Sequence, residues 1–168
     1  MTRERVLLGG IVALAAGMAV AVYPTLETRL VNPGDSAPAF SVTTERGMTI
    51  TPTSFGGRVL VLNFWASWCQ PCVQEFGDLN KFAQEMSGQG VVVLGISADL
   101  SEKAYRRFLQ SYQPAFETSR DPGGSIAASY GTFAYPETYV IDKDGKVVKK
   151  IIGVIDDWNE LRTVVKSL

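Results

Sequence analysis

The spacing of apolar residues divides the chain into strand-like and helix-like segments. Continuous β-branched and aromatic runs at positions 58–66 and 91–99 predict two strands that are buried on both faces. Between them the apolar period changes to that of a helix, which begins near Pro71 and ends before Gly88. The apolar positions of this helix are Val73, Phe76, Leu79, Phe82 and Met86.

Shorter patterns predict the remaining elements. Alternating segments with glycine turns favour one β-hairpin at positions 39–52 and another at 137–154. Ser101 is suited to cap a helix, positions 115–120 favour a short strand, and positions 125–131 favour a brief helix. The chain ends with an amphipathic helix that begins at an aspartate.

This order of elements predicts an α/β fold with a central mixed sheet between layers of helices. Strands joined through a helix must cross over, so we expect parallel pairing in the middle of the sheet. The last hairpin adds an antiparallel pair.

The N-terminal segment has a different pattern from the rest. Arg3 and Arg5 precede an uncharged run from Val6 to Tyr23, which as a helix would span about 27 Å, close to the hydrocarbon core of a bilayer. Because the positive charges come first, we expect a single-pass anchor with the following domain outside the cytoplasm. A cleaved signal peptide ending near positions 19–21 and a buried helix of the domain are the alternatives. The predicted regions are the signal anchor at 1–23, a linker at 24–36 and the domain at 37–168.

Composition narrows the chemistry. The chain has 168 residues, a length that suits one domain. Its net charge of −1 lacks the basic excess that is typical of nucleic-acid-binding domains. It contains no histidine. Serine–histidine and cysteine–histidine catalysis are therefore excluded, and the commonest metal ligand is missing.

The stretch "FWASWCQPC" holds both cysteines of the chain, Cys69 and Cys72. They follow the first buried strand and lie at the start of the predicted helix. The N-terminus of that helix would lower the pKa of the Cys69 thiol below its free value of about 8.5. We therefore expect Cys69 to attack a partner disulfide and Cys72 to resolve the mixed disulfide. Trp68 would shield one side of the site, and Pro71 suits a first helical turn because it lacks an N–H. With Gln70, these two residues are candidates for contact with substrate.

Three other uses of the cysteine pair are open. A structural disulfide would close too short a loop to constrain much of the unfolded chain. A zinc site needs four ligands, and the chain offers two sulfurs and no histidine. A two-sulfur Cu(I) site is chemically feasible.

The motif "VLNFWASWCQPC" resembles the active-site strand and helix of thioredoxin-fold proteins. The wider pattern resembles the membrane-anchored ResA/TlpA/CcmG (DsbE) branch, through "NPGDSAPAFSV", "VVVLGISAD", "DPGGSIAASYG" and "YPETYVIDKDGKV". The resemblance extends from Pro33 to the end of the chain. It implies a thioredoxin-like fold with an N-terminal β-hairpin extension and an inserted central helix within positions 101–116.

The same resemblance implies roles for four residues. Pro136 would follow a cis peptide bond and face the cysteines, and the backbone of Tyr135 would dock a substrate segment as an added strand. Glu75 would lie beneath the site, on the same helix face as Cys72, and accept its proton. Glu137 would also face the site. The alternatives are a trans proline and exposed positions for the two glutamates.

Two departures from the family pattern affect the site. Ordinary thioredoxins carry a buried aspartate where this chain has Asn63, which leaves Glu75 as the candidate proton acceptor. The family often has a proline after that glutamate, whereas this chain has Gly77, which could bend the helix.

The function implied by the resemblance is extracytoplasmic reduction of a disulfide in apocytochrome c during cytochrome c maturation, from the bacterial cytoplasmic membrane. Electrons would come from a membrane thiol donor of the CcdA or DsbD type. We expect no cofactor beyond the Cys69–Cys72 dithiol and no metal, since the sequence has no NAD or flavin fingerprint. The alternatives are a DsbA-like oxidant and a copper-handling assembly factor for a respiratory oxidase. A peroxidase is disfavoured because an isolated peroxidatic cysteine is missing.

Overall fold

The computed structural model describes residues 30–52 and 57–168. The predicted anchor at 1–23 lies outside the described residues, as do positions 24–29 of the predicted linker. Within the described ranges, no helix has the length and apolar character needed to cross a membrane.

Strands and helices follow one another in the predicted order. The strands are β1 (Val42–Thr43), β2 (Thr49–Ile50), β3 (Val59–Trp65), β4 (Val91–Ser97), β5 (Glu117–Arg120), β6 (Glu137–Ile141) and β7 (Val147–Ile152). The helices are α1 (Gln70–Met86), α2 (Glu102–Tyr112), α3 (Ser125–Tyr130) and α4 (Trp158–Lys166). Helix α2 is the predicted inserted helix between β4 and β5.

The main sheet is mixed, as predicted. Its strand order is β5-β4-β3-β6-β7, with β3, β4 and β5 parallel to one another and β6 antiparallel to both β3 and β7. The predicted N-terminal hairpin forms a separate two-stranded antiparallel sheet of β1 and β2. Because β6 runs against β3, its first residues lie at the sheet edge where β3 and β4 end.

Strand β3 is the centre of the fold, and each of its seven residues is buried. Its alternating side chains enter two different cores, one on each face of the sheet. Helices α1, α2 and α4 pack on one face through apolar residues such as Phe76, Phe108 and Leu161. Helix α3 and the hairpin cover the other face, so the sheet is the middle of three layers.

Local capping residues set where the helices begin. The side chain of Ser101 accepts a hydrogen bond from the amide of Ala104 at 3.3 Å, which confirms the predicted cap of α2. Asp157 caps α4 by accepting from the amides of Asn159 and Glu160 at 2.9 Å. Helix α1 continues through Gly77 to Met86, so this glycine does not end the helix.

A close contact between β3 and β4 explains one glycine of the core. Gly95 lies beside the indole of Trp65, where an added Cβ atom would be 2.8 Å from the indole Nε1 and 3.0 Å from the Phe116 ring. Only a residue without a side chain fits this position without displacing one of the two rings. The Trp65 indole is 1% exposed and packs against Phe76 and Phe108, so it has little room to move.

We expect Gly95→Ala to lower the free energy of unfolding of the oxidised protein by about 1–3 kcal/mol, because it overpacks the core. Gly77→Ala is the matched control, since nothing lies within 4 Å of its added Cβ atom. The control should raise the free energy of unfolding by about 0.5–1 kcal/mol, because alanine favours a helix more than glycine does. Urea unfolding measures both changes, and equal stability of Gly95→Ala and wild type would show that the rings move aside freely.

Candidate active site

The two cysteines lie where the central strand passes into helix α1. Cys69 is the N-cap of α1 and Cys72 lies in its first turn, and the two form a disulfide with an S–S distance of 2.07 Å. The amide of Cys72 donates a hydrogen bond to the Cys69 sulfur at 3.2 Å. In the reduced protein, this amide and the positive end of the helix dipole would stabilise a thiolate at Cys69.

Exposed side chains surround the two sulfurs. Cys69 and Cys72 are only 6% and 3% exposed, whereas Trp68 is 66% exposed. Gln70 and Pro71 are also exposed. Trp68, Gln70 and Pro71 are therefore accessible from solvent beside the buried disulfide.

A second segment reaches the same edge of the sheet from the start of β6. The peptide bond between Tyr135 and Pro136 is cis, as the family resemblance implied. The Tyr135 ring meets the Trp68 ring edge-on, with 5.9 Å between the ring centroids. This contact brings the segment before β6 next to the turn that carries the cysteines.

Glu75 lies beneath this surface, on the buried face of α1 that also carries Cys72. It is 6% exposed, so the alternative of a solvent-facing glutamate is wrong. One carboxylate oxygen accepts a hydrogen bond from the amide of Ile155 at 2.6 Å, and the other accepts from the side-chain amide of Asn63 at 3.3 Å. Asn63 also donates to the hydroxyl of Thr138 at 2.9 Å.

Burial raises the pKa of Glu75 from its ordinary value of 4.5 to about 7. Desolvation is the largest cause, because it disfavours the charged carboxylate. The hydrogen bonds from Ile155 and Asn63 oppose the rise, and the nearby charges of Asp156 and Asp78 add to it. A carboxyl group with a pKa near 7 can both accept and return a proton at neutral pH.

Glu137 occupies a different environment from the one expected. It is fully buried, and its carboxylate pairs with the ammonium of Lys150 at 3.0 Å and accepts from the Tyr139 hydroxyl at 2.6 Å. It therefore is not an exposed strand residue. Neighbouring strand residues point to opposite faces of the sheet, so Glu137 shares a face with Tyr139, whereas Thr138 points toward Glu75. The Glu137 carboxylate thus has Lys150 and Tyr139 as its partners, and a role of Glu137 at the cysteines stays a prediction.

Two members of the hydrogen-bond network around Glu75 could not be named from the sequence: Ile155, which donates to Glu75, and Thr138, which accepts from Asn63. Ile155 contributes its main-chain amide, which any residue could supply, so the sequence carries no signal for it. Thr138 is placed opposite Asn63 by the register between β3 and β6. That register could have been inferred only after the two strands had been paired.

Comparison with known proteins now identifies this arrangement. The profile of the AhpC/TSA family matches residues 33–150, which include both cysteines. The thiol-disulfide oxidoreductase ResA of Bacillus thuringiensis subsp. konkukian (strain 97-27) is 37% identical over 120 residues, covering 71% of this chain and 69% of that protein. The chain belongs to the AhpC/TSA family.

Two further comparisons agree with the fold and the site. The thiol:disulfide interchange protein DsbE of Pseudomonas fluorescens biotype C is 32% identical over 163 residues, covering 89% of this chain and 88% of that protein. A crystal structure named as a DsbE-type protein from Chlorobium tepidum superposes with a TM-score of 0.74 at 28% identity, covering 81% and 98% of the two chains. This AhpC/TSA-family member is a thiol–disulfide oxidoreductase with a thioredoxin-like fold and the Cys69–Cys72 pair.

The raised pKa of Glu75 gives the folded protein a specific pH dependence. Between about pH 4.5 and 7 the Glu75 carboxyl binds more protons in the folded state than in the unfolded state, so its contribution to stability is fully present below this range and is lost as the pH rises through it. At about 1.4 kcal/mol per pKa unit, we expect a loss of up to about 3 kcal/mol in the free energy of unfolding. Glu75→Gln should remove this slope, which urea unfolding of the oxidised protein at several pH values would measure.

Glu85→Gln is the matched control for this experiment. Glu85 lies on the same helix, but it is exposed and its pKa is lowered by the hydrogen bond from Arg162. This variant should retain the loss of stability between pH 4.5 and 7. A wild-type slope in Glu75→Gln would show that other groups cause the pH dependence.

Proposed function

We propose that this thiol–disulfide oxidoreductase is held in the bacterial cytoplasmic membrane by residues 1–23 and acts outside the cytoplasm. Its client is apocytochrome c, in which it reduces a disulfide before haem attachment. The observation that carries this proposal is the match of the domain, with its cysteine pair, to relatives named ResA and DsbE. The branch of thioredoxin-fold proteins that the sequence resembles supplies the client.

The geometry of the site supports reduction in two exchange steps. The Cys69 thiolate attacks one sulfur of the client disulfide, the client S–S bond breaks, and the second client sulfur leaves as a thiolate. Cys72 then gives its proton to the Glu75 carboxylate and attacks the Cys69 sulfur. This attack releases the reduced client and leaves the Cys69–Cys72 disulfide, so two electrons pass from the dithiol to the client.

The surface around the cysteines supports binding of an extended client segment. Trp68, Gln70 and Pro71 are exposed next to the buried sulfurs, and the Tyr135–Pro136 segment lies against Trp68. We propose that the backbone of Tyr135 pairs with the client main chain while Trp68 packs against its side chains. A membrane thiol protein of the CcdA or DsbD type would then reduce the disulfide for the next cycle.

The direction of electron flow depends on the reduction potential of the Cys69–Cys72 pair. We expect equilibration of the full-length protein with dithiothreitol and glutathione buffers to give a value at or below that of thioredoxin, about −270 mV. Such a dithiol donates electrons in an oxidising compartment. A value near −120 mV, typical of a strong oxidant, would replace the proposal with the DsbA-like alternative.

The client can be identified by trapping the first exchange step. We expect Cys72→Ser, expressed in the bacterium that encodes the chain, to accumulate mixed disulfides between Cys69 and apocytochrome c, because the resolving thiol is missing. Mass spectrometry of the trapped complexes identifies the partner. A Cys69→Ser, Cys72→Ser double variant is the control and should trap nothing.

The identity of the trapped protein decides between the proposed client and its alternatives. Capture of respiratory oxidase subunits in place of cytochromes would overturn the apocytochrome proposal. Stoichiometric retention of Cu(I) by the reduced wild-type protein would then favour a copper-handling role.

A further inference from the structure

A buried carboxylate holds the turn that carries Cys69. Asp99 lies two residues after the end of β4 and is 1% exposed. Its carboxylate accepts hydrogen bonds from the main-chain amide of Ser67 at 2.9 Å, from the Ser67 hydroxyl at 2.7 Å and from the Ser97 hydroxyl at 2.7 Å. Two of these three donors belong to one residue, which lies two positions before Cys69.

The chain between β3 and α1 is tied at successive positions. The Trp65 carbonyl accepts from the amide of Ala98 at 2.9 Å, and the Ala66 carbonyl accepts from the amide of Cys69 at 3.1 Å. Ser67, the next residue after Ala66, is held by Asp99 through both its main chain and its side chain. The bonds to Asp99 therefore fix the position and the side-chain rotamer of the residue at the middle of the turn.

A buried carboxylate at this position carries a large desolvation cost, which a purely structural role would not require. Burying a charge is unfavourable unless hydrogen bonds compensate for the lost hydration. Hydrogen bonds to a charged acceptor are about twice as strong as neutral ones, and a carboxylate can accept from both donors of Ser67 at once. The Arg120 guanidinium donates to the main-chain carbonyls of Asp99 at 3.5 Å and Leu100 at 3.0 Å, and it pairs with the Glu102 carboxylate.

We propose that Asp99 is a positioning residue for thiol–disulfide exchange. By holding Ser67, it keeps the Cys69 sulfur at the N-terminus of α1, in the orientation that attacks an incoming disulfide. A reacting group displaced by about 1 Å can lose about a hundredfold in rate, so the contact acts on the reaction without touching the reacting atoms. The inference rests on Cys69 as the attacking sulfur and is independent of the identity of the client.

The structure offers a matched control in Asp121. This aspartate is also buried and also lies just after a strand of the sheet, β5. Its carboxylate accepts from the amides of Ser125, Ile126 and Ala127 and thus caps α3. Asp121→Asn should therefore perturb a buried carboxylate of similar burial without loosening the cysteine turn.

The test uses the reduced full-length protein and its Asp99→Ala, Ser67→Ala and Asp121→Asn variants. The rate constant for reaction with oxidised glutathione measures exchange, and the pH midpoint of Cys69 alkylation by iodoacetamide measures stabilisation of the thiolate. Urea unfolding reports the folded fraction of each variant. None of these measurements uses a cytochrome. They therefore test the role of Asp99 even if the client is not apocytochrome c.

We expect Asp99→Ala to lower the exchange rate constant per folded molecule at least about tenfold. Ser67→Ala keeps the carboxylate but loses one of its donors, so the pH midpoint of alkylation should rise by at least about half a unit. The double variant Ser67→Ala, Asp99→Ala should exchange no more slowly than Asp99→Ala alone, because both changes break the same contact. Asp121→Asn should lower stability and leave both readouts at their wild-type values.

Three results would overturn the proposal. Folded Asp99→Ala could exchange at the wild-type rate, Ser67→Ala could retain the wild-type pH midpoint, or Asp121→Asn could change both readouts to the same extent as the other variants. If Asp99→Ala does not fold, Ser67→Ala decides alone, since it leaves the buried carboxylate and its bond to the Ser67 amide in place.

Discussion

The active site depends on the complete burial of strand β3. Its six apolar residues alternate between the two cores, so a shift by one residue along β4 and β6 would move every side chain to the wrong face. The register therefore fixes Asn63 opposite Thr138, and it fixes the point at which the chain leaves the sheet after Trp65. The turn, Cys69 at the helix N-terminus, Cys72 and Glu75 all follow within ten residues of that point.

Most of this arrangement could be predicted from the sequence because its determinants are local. The apolar period identified β3, β4 and α1, and the spacing of three residues placed Cys72 and Glu75 on one helix face. The contacts that tune the site could not be predicted, because they join distant parts of the chain. The amide of Ile155 is 80 residues from Glu75, and Ser67 is 32 residues from Asp99. Neither a main-chain amide nor a serine in a turn has a sequence signature.

The face of the sheet on which the Glu137 side chain lies could also not be predicted from the sequence. In a half-buried strand, the alternation of apolar and polar residues shows which face is the core. Strand β6 is buried on both faces, so Glu137 and Thr138 could each have pointed toward the cysteines. Only the register with β3 decides between them, and it assigns the cysteine side to Thr138. Glu137 is instead compensated by Lys150 and Tyr139 on the opposite face.

The two buried acids Glu75 and Asp99 differ in how their hydrogen bonds compensate for lost hydration. This difference suits them to different roles. Glu75 receives two hydrogen bonds, which do not offset the loss of hydration, so its pKa rises to about 7 and its protonation can change during exchange. Asp99 receives three, all from the turn and the strand beside it, two of them at 2.7 Å. A carboxyl group that must exchange a proton has to be incompletely compensated, whereas one that must hold a turn has to keep its acceptors occupied. The number of hydrogen bonds and the loss of hydration therefore separate the group suited to proton transfer from the group suited to positioning.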